Sequence, residues 1–139
     1  MGLSFNSSTI ERSKSARFAV IIILAATVLA ACGSAPAVSQ IGPQQYQQEF
    51  GSANDHLLID VRTPEEFASG HIPGAVNISL QTLPDRLDEI PAGQPVVVYC
   101  RTGNRSATVS EILISNGYDD VYDLGGIQDW IAKGYAVEY

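Results

Sequence analysis

Val96-Val97-Val98-Tyr99-Cys100-Arg101-Thr102-Gly103-Asn104-Arg105-Ser106 is the stretch from which the fold can be read. Three β-branched apolar residues and a tyrosine follow Pro95, a composition that predicts a buried strand. Apolar residues resume at Ala107, Val109, Ile112 and Leu113 with helical spacing, so Cys100 stands where strand gives way to helix. The first turn of a helix leaves N–H groups without intrahelical partners and carries about half a positive charge, which favours an anion placed there. A thiolate is such an anion. Cysteine beside arginines at a helix start can fall from a pKa of about 8.5 into roughly the 3.5–7.5 range, and Arg101 and Arg105 flank this loop. Gly103 lets the backbone turn tightly and bring N–H groups inward. The expectation is a small anion cradle with a nucleophile at its base. The competing reading, a buried apolar cysteine ending a core strand, does not account for two arginines, a glycine and an asparagine in the next five positions.

Working outward, Gln40-Ile41 reads as a short strand, and Pro43 suits the first turn of a helix that buries Tyr46 and Phe50 and closes at Gly51. His56 to Val61 reads as a strand with Asp60 near its C-terminal end. Ligands of open α/β sheets bind at that edge, so Asp60 and Arg62 could face the Cys100 loop. The favoured alternative pairs Arg62 with Glu65 or Glu66 and so fixes the following turn. Thr63-Pro64-Glu65-Glu66 reads as a helix start, with Thr63 as N-cap and acids in the first turn. Ala75 to Ile78 is the next strand, and Leu80 to Ile90 a helix with Leu83, Leu87 and Ile90 on one face. The helix after Cys100 runs to Asn116 and ends at Gly117. Asp120 to Leu124 is a further strand, Gly125-Gly126 a turn, and Ile127, Trp130 and Ile131 the buried stripe of a last helix. Strands alternating with helices predict an α/β fold, a mainly parallel central sheet of about five strands with helices on both faces.

The 139 residues suffice for one domain, and the net charge is −7. Five basic residues (Arg62, Arg86, Arg101, Arg105 and Lys133) and fourteen acidic ones follow Cys32. That balance argues against nucleic acid as a partner, which needs a basic footprint. Three of the five cations lie in the stretches expected to form the site, a local positive spot that fits a small anionic substrate. No Cys/His set has metal-ligand spacing, so neither a metal nor a cofactor is expected, and nothing calls for more than a monomer. His71 falls in a loop, Gly70 to Gly74, leading to a strand and is discounted as catalytic, and His56 reads as solvated at a loop edge.

Arg12, Lys14 and Arg17 precede Phe18 to Ala31, fourteen residues without a charge. A membrane span needs about 20 apolar residues, so this run suits the core of a secretory signal. It ends in Leu29-Ala30-Ala31-Cys32, which resembles the lipobox of bacterial lipoproteins, in which the cysteine is lipidated and becomes residue one of the mature chain. An uncleaved helix or an ordinary signal would not require Cys32. The expected layout is a lipoprotein signal peptide over 1–31, a tether with lipidated Cys32 over 32–39, and the folded domain over 40–139. The protein would then be exported and anchored on the periplasmic or extracellular face of a cell-envelope membrane. With Cys32 a thioether, Cys100 is the one remaining thiol in an oxidising compartment, where an unused thiol is a liability.

Cys100 to Ser106 resembles the active-site loop of the rhodanese family of sulfurtransferases. Leu57 to Ile78 (LLIDVRTPEEFASGHIPGAVNI) resembles the family's first signature, and Leu124 to Tyr135 (LGGIQDWIAKGY) its last. The resemblance implies that Cys100 carries a persulfide between a sulfur donor such as thiosulfate and a cyanide or thiol acceptor. Arg101, Thr102, Gly103, Asn104, Arg105 and Ser106 would bind the anion, and His71 would be structural. One rival is a phosphatase or arsenate reductase, but Cys100 to Arg105 spans six residues where phosphatases resembling this fold use seven. The other is a non-catalytic persulfide carrier or binding module at the membrane.

Overall fold

The structure is a computed structural model that describes residues 36–139 apart from Asn54, together with Met1 and Gly2. The apolar run over 18–31, the lipobox-like Leu29 to Cys32 and residues 33–35 of the expected tether lie outside the described residues. Five strands, β1 (Ser39–Gln40), β2 (Leu57–Asp60), β3 (Val76–Asn77), β4 (Val96–Cys100) and β5 (Val121–Gly126), form one sheet in the order β1-β5-β4-β2-β3. Every pairing is parallel. Parallel neighbours need crossovers, and these are supplied by helices α1 (Pro43–Glu49), α2 (Pro64–Ala68) and α3 (Asn104–Ser115) with two short 3-10 turns, while α4 (Ile127–Ala132) follows the last strand. Ser39, assigned above to the tether, already pairs with Tyr122.

β4 is the central strand and all five of its residues are buried, which explains its unbroken apolar run. Side chains alternate across it. Val96, Val98 and Cys100 face one core with Ile59, Val61, Val109 and Leu113, while Val97 and Tyr99 face the other with Leu58, Tyr46, Leu124 and Trp130. Cys100 therefore points toward the side covered by α3.

Three expectations need correction. Leu80 to Ile90 is not a helix but two 3-10 turns, Leu83–Asp85 and Leu87–Glu89. Pro84 has no N–H to give to Leu80 and its ring would collide with that carbonyl, so an α-helix cannot run through it. Leu83 and Ile90 still reach the core, with Leu87 against it, because the burial pattern survives the change of helix type. Gly125-Gly126 is not a turn outside the sheet but the end of β5. Ile131, expected in the buried stripe of α4, is 55% exposed, since that helix buries only Ile127 and Trp130.

Candidate active site

β4 ends at Cys100 and α3 begins at Asn104, leaving Arg101, Thr102 and Gly103 to reverse the chain. Gly103 precedes the helix with φ of +103°, a conformation that glycine alone takes without strain. This turn aims the Gly103 N–H at Cys100 Sγ, 3.1 Å away. Burial pushes the Cys100 thiol up, but the N–H groups of Ser106, Thr102 and Gly103 and the Ser106 hydroxyl outweigh it and hold the thiol below its ordinary pKa. The amides lead the lowering that the flanking arginines were expected to supply. Arg105 acts with them, its guanidinium drawn to the Cys100 sulfur by charge and hydrogen bond, whereas Arg101 is not among the causes.

The Ser106 hydroxyl is the weakest of these groups, and its single proton is directed at carbonyls, Gly103 O at 2.9 Å and Gly125 O at 3.3 Å. It serves chiefly to brace the loop. Thr102 and Asn104 are exposed at the rim. Arg101 is exposed too, and among the described residues its side chain has no hydrogen-bond or ion-pair partner. Arg105 is half-buried, and its guanidinium forms two hydrogen bonds to Glu66, at 2.7 and 2.9 Å. It also lies near enough to the thiolate to feel its charge.

β5 supports the loop from below. A bulge between Val98 and Tyr99 shifts the register, so that Tyr99 and Cys100 lie opposite Gly125 and Gly126. Asp123, 2% exposed, fixes the bulge by accepting the Gly125 N–H at 2.9 Å, and its other carboxylate oxygen takes a hydrogen bond from Gln40 at 3.1 Å. A Cβ on Gly126 would lie 2.6 Å from Arg101 O and 2.9 Å from Thr102 Cα. The cradle is thus seated directly on glycine backbone.

Asp60 and Arg62 are not brought to the Cys100 loop. Asp60 is fully buried, and Arg62 pairs with it through Nη2 at 2.6 Å and Nε at 3.0 Å, then donates to Gly70 O at 2.8 Å. Residues two apart in extended chain share a face, so Asp60 lies nearer to Arg62 than Glu65 or Glu66, and a buried carboxylate needs a cation at once. Burial opposes the charge on Arg62, yet the hydrogen bonds and charge of Asp60 win and hold it protonated. The pair lies over the Tyr99 ring, on the sheet face that Cys100 does not share. Asn77 Nδ2 ties the carbonyls of Asp60 and Arg62 together at 2.9 Å each.

His71 is structural, stacked on Phe67 at 3.7 Å, with Nδ1 3.1 Å from Phe67 O and Nε2 3.3 Å from Glu138. His56 is not simply solvated. It is half-buried, and its Nε2 lies 2.9 Å from the Tyr46 hydroxyl beside a cleft of about 370 Å³ lined by Phe50, Ile72, Trp130 and Tyr135.

Two residues of the site were missed in the sequence. Glu66 is expected at a helix start and as one possible partner of Arg62; it does complete a capping box, in which Glu66 N–H donates to Thr63 Oγ1 at 3.3 Å and Thr63 N–H to Glu66 Oε2 at 3.0 Å. Its second task, holding Arg105, depends on two segments that meet only in space. Asp123 left no local signal except its place two residues before a glycine.

Arg105, assisted by Thr63 and Arg62 and against the effect of burial, pulls the Glu66 carboxyl down from 4.5 to about 2. A folded-state pKa below the unfolded one adds stability that is complete above 4.5 and is lost as pH falls toward about 2. With both side chains 27% to 29% exposed, screening leaves a loss of about 1–2 kcal/mol. Urea midpoints measured from pH 5 down to pH 2.5 should fall more steeply for the native chain than for Glu66→Gln.

The rhodanese-like domain family model matches residues 42–133. A protein of Allochromatium vinosum named sulfurtransferase is 39% identical over 72% of this chain and 94% of its own length. The thiosulfate sulfurtransferase GlpE of Pseudomonas syringae is 36% identical over 66% of this chain and 85% of its own. Among solved structures, a rhodanese-related protein of Thermoplasma volcanium superimposes with a TM-score of 0.65 at 31% identity, covering 72% of this chain and 97% of that one. A cysteine at the end of the central strand, a loop of inward amides and a match over most of the described residues agree: the chain belongs to the rhodanese-like domain family, among whose members are proteins named as sulfurtransferases.

Proposed function

We propose that this protein is a sulfurtransferase that moves sulfane sulfur from an anionic donor such as thiosulfate to cyanide or a thiol, through a persulfide on Cys100. The observation that carries the reading is the sulfur itself, buried at a strand end with the Gly103 N–H aimed at it and its thiol held below the ordinary range. The thiolate attacks the outer sulfur of thiosulfate. A new S–S bond forms, the old one breaks, and sulfite leaves with the bonding pair. The terminal persulfide sulfur then holds the negative charge and takes the place beside the amides. An acceptor attacks that outer sulfur, leaves as thiocyanate or as a persulfide of its own, and returns the Cys100 thiolate. No proton need move in the first half-reaction, which suits a site whose described residues place no histidine against the thiol.

The test is intact-mass measurement after incubation with thiosulfate. One added sulfur on Cys100, removed by cyanide, is the expected result. No such gain, or hydrolysis of an aryl phosphate in its place, overturns the proposal. Repeated turnover with small donor and acceptor distinguishes an enzyme from a carrier that transfers once to one protein. The same proposal places the domain at a membrane surface through lipidated Cys32, for which the support is the Leu29-Ala30-Ala31-Cys32 sequence after an apolar run. Release of the protein from the membrane fraction by Cys32→Ser would be the expected outcome.

A further inference from the structure

Two arginines flank the cradle, but their situations differ. Arg105 meets Glu66 fork to fork, Nη1 to Oε2 at 2.7 Å and Nη2 to Oε1 at 2.9 Å, the geometry in which a guanidinium and a carboxylate bind most strongly. Glu66 is in turn anchored at the start of α2 by its exchange of hydrogen bonds with Thr63. Arg62, the other cation near Glu66, is committed to Asp60 and Gly70 and donates nothing to Glu66. Arg101 remains exposed and unpaired among the described residues.

We infer that Glu66 is a positioning residue that clamps Arg105 across the mouth of the loop and offsets much of its charge, so that the field an anionic donor meets at Cys100 comes chiefly from the loop amides. The inference rests on the sulfurtransferase reading only in taking Cys100 as the reacting sulfur. The charged groups facing Glu66 are Arg105 from α3 and Arg62 from the end of β2; the one facing Cys100 is Arg105. Removing the carboxylate alone therefore leaves a bare cation beside the thiolate. Removing the guanidinium alone leaves a bare anion. Glutamine at 66 keeps the capping box, because its amide oxygen still accepts the Thr63 N–H.

The test compares alkylation of Cys100 in the full chain by neutral iodoacetamide and anionic iodoacetate across pH. Glu66→Gln should raise the iodoacetate-to-iodoacetamide rate ratio about three- to tenfold, the effect of one uncovered charge in partly screened surroundings. It should also lower the pH midpoint seen with both reagents. Arg105→Gln should move ratio and midpoint the other way, and the double variant should return to within about twofold of the native ratio. A Glu66→Gln ratio equal to the native one, or both rates falling together at an unchanged midpoint, would reduce Glu66 to a helix cap and overturn the inference. Were Glu66→Gln to unfold, the Arg105→Gln arm decides alone, because an unchanged ratio there is equally fatal. Neither reagent donates sulfur. Failure to form a persulfide would thus overturn the proposed function while the alkylation ratios still decide the role of Glu66.

Discussion

Cys100→Ser should lose sulfur transfer from thiosulfate to cyanide by at least about a thousandfold, the scale on which enzymes fall when their nucleophile is removed. A serine hydroxyl is not ionised near neutral pH, is a poor nucleophile toward sulfur and cannot store a second sulfur atom. The fold should survive. Serine is slightly smaller than cysteine, and the Gly103 N–H that now points at Sγ finds an oxygen acceptor in its place. The expected change in stability is within about 1.5 kcal/mol, read as a shift of a few degrees in Tm. In the native chain the rate of alkylation should rise with pH through a midpoint below that of an ordinary thiol, since only the thiolate reacts. Substantial activity in Cys100→Ser, with its fold intact by circular dichroism, would remove Cys100 from the mechanism altogether.

Gly126→Ala should be nearly as damaging without touching the nucleophile. Its added methyl would stand 2.6 Å from Arg101 O and 2.9 Å from Thr102 Cα, and both of these are backbone atoms that no rotamer change can move. Either the loop lifts off β5 or the strand end retreats. Overfilling of this kind costs about 1–3 kcal/mol, and displacing the amides by about 1 Å should cost on the order of a hundredfold in kcat/KM. Gly125→Ala is the contrasting case. A Cβ there meets nothing within 4 Å, but the residue sits at φ of +79°, so the substitution strains backbone without pushing on the cradle. Its cost of about 1 kcal/mol should appear in Tm and much less in kcat/KM. Equal kinetic losses for the two variants would show that loop position is not what Gly126 protects.

The parts of the site that could be read along the chain are those built by neighbours in sequence. Val96 to Cys100 as central strand, the helix after Gly103 and the Thr63-Pro64 helix start all follow from period, glycine and capping chemistry acting over a few residues. Pro84 shows a local rule overlooked, because the apolar spacing of Leu83, Leu87 and Ile90 concealed a residue that forbids the α-helix. Arg62 shows one that competes. Its charge was legible, but which carboxylate it met depended on burial, and Asp60 is the one with no water.

By itself the sequence determined the alternation of strands and helices, the placing of Cys100 at the junction between them, and a glycine able to turn amides inward, since each rests on contacts within a turn or two. Only the tertiary structure decided that Glu66 takes Arg105, that Asp123 holds the bulge, and that Gly126 supports the loop. These pairings join segments distant along the chain. Their choice depends on which polar groups are stripped of water when the sheet and helices close, and hydrophobic period carries no record of that.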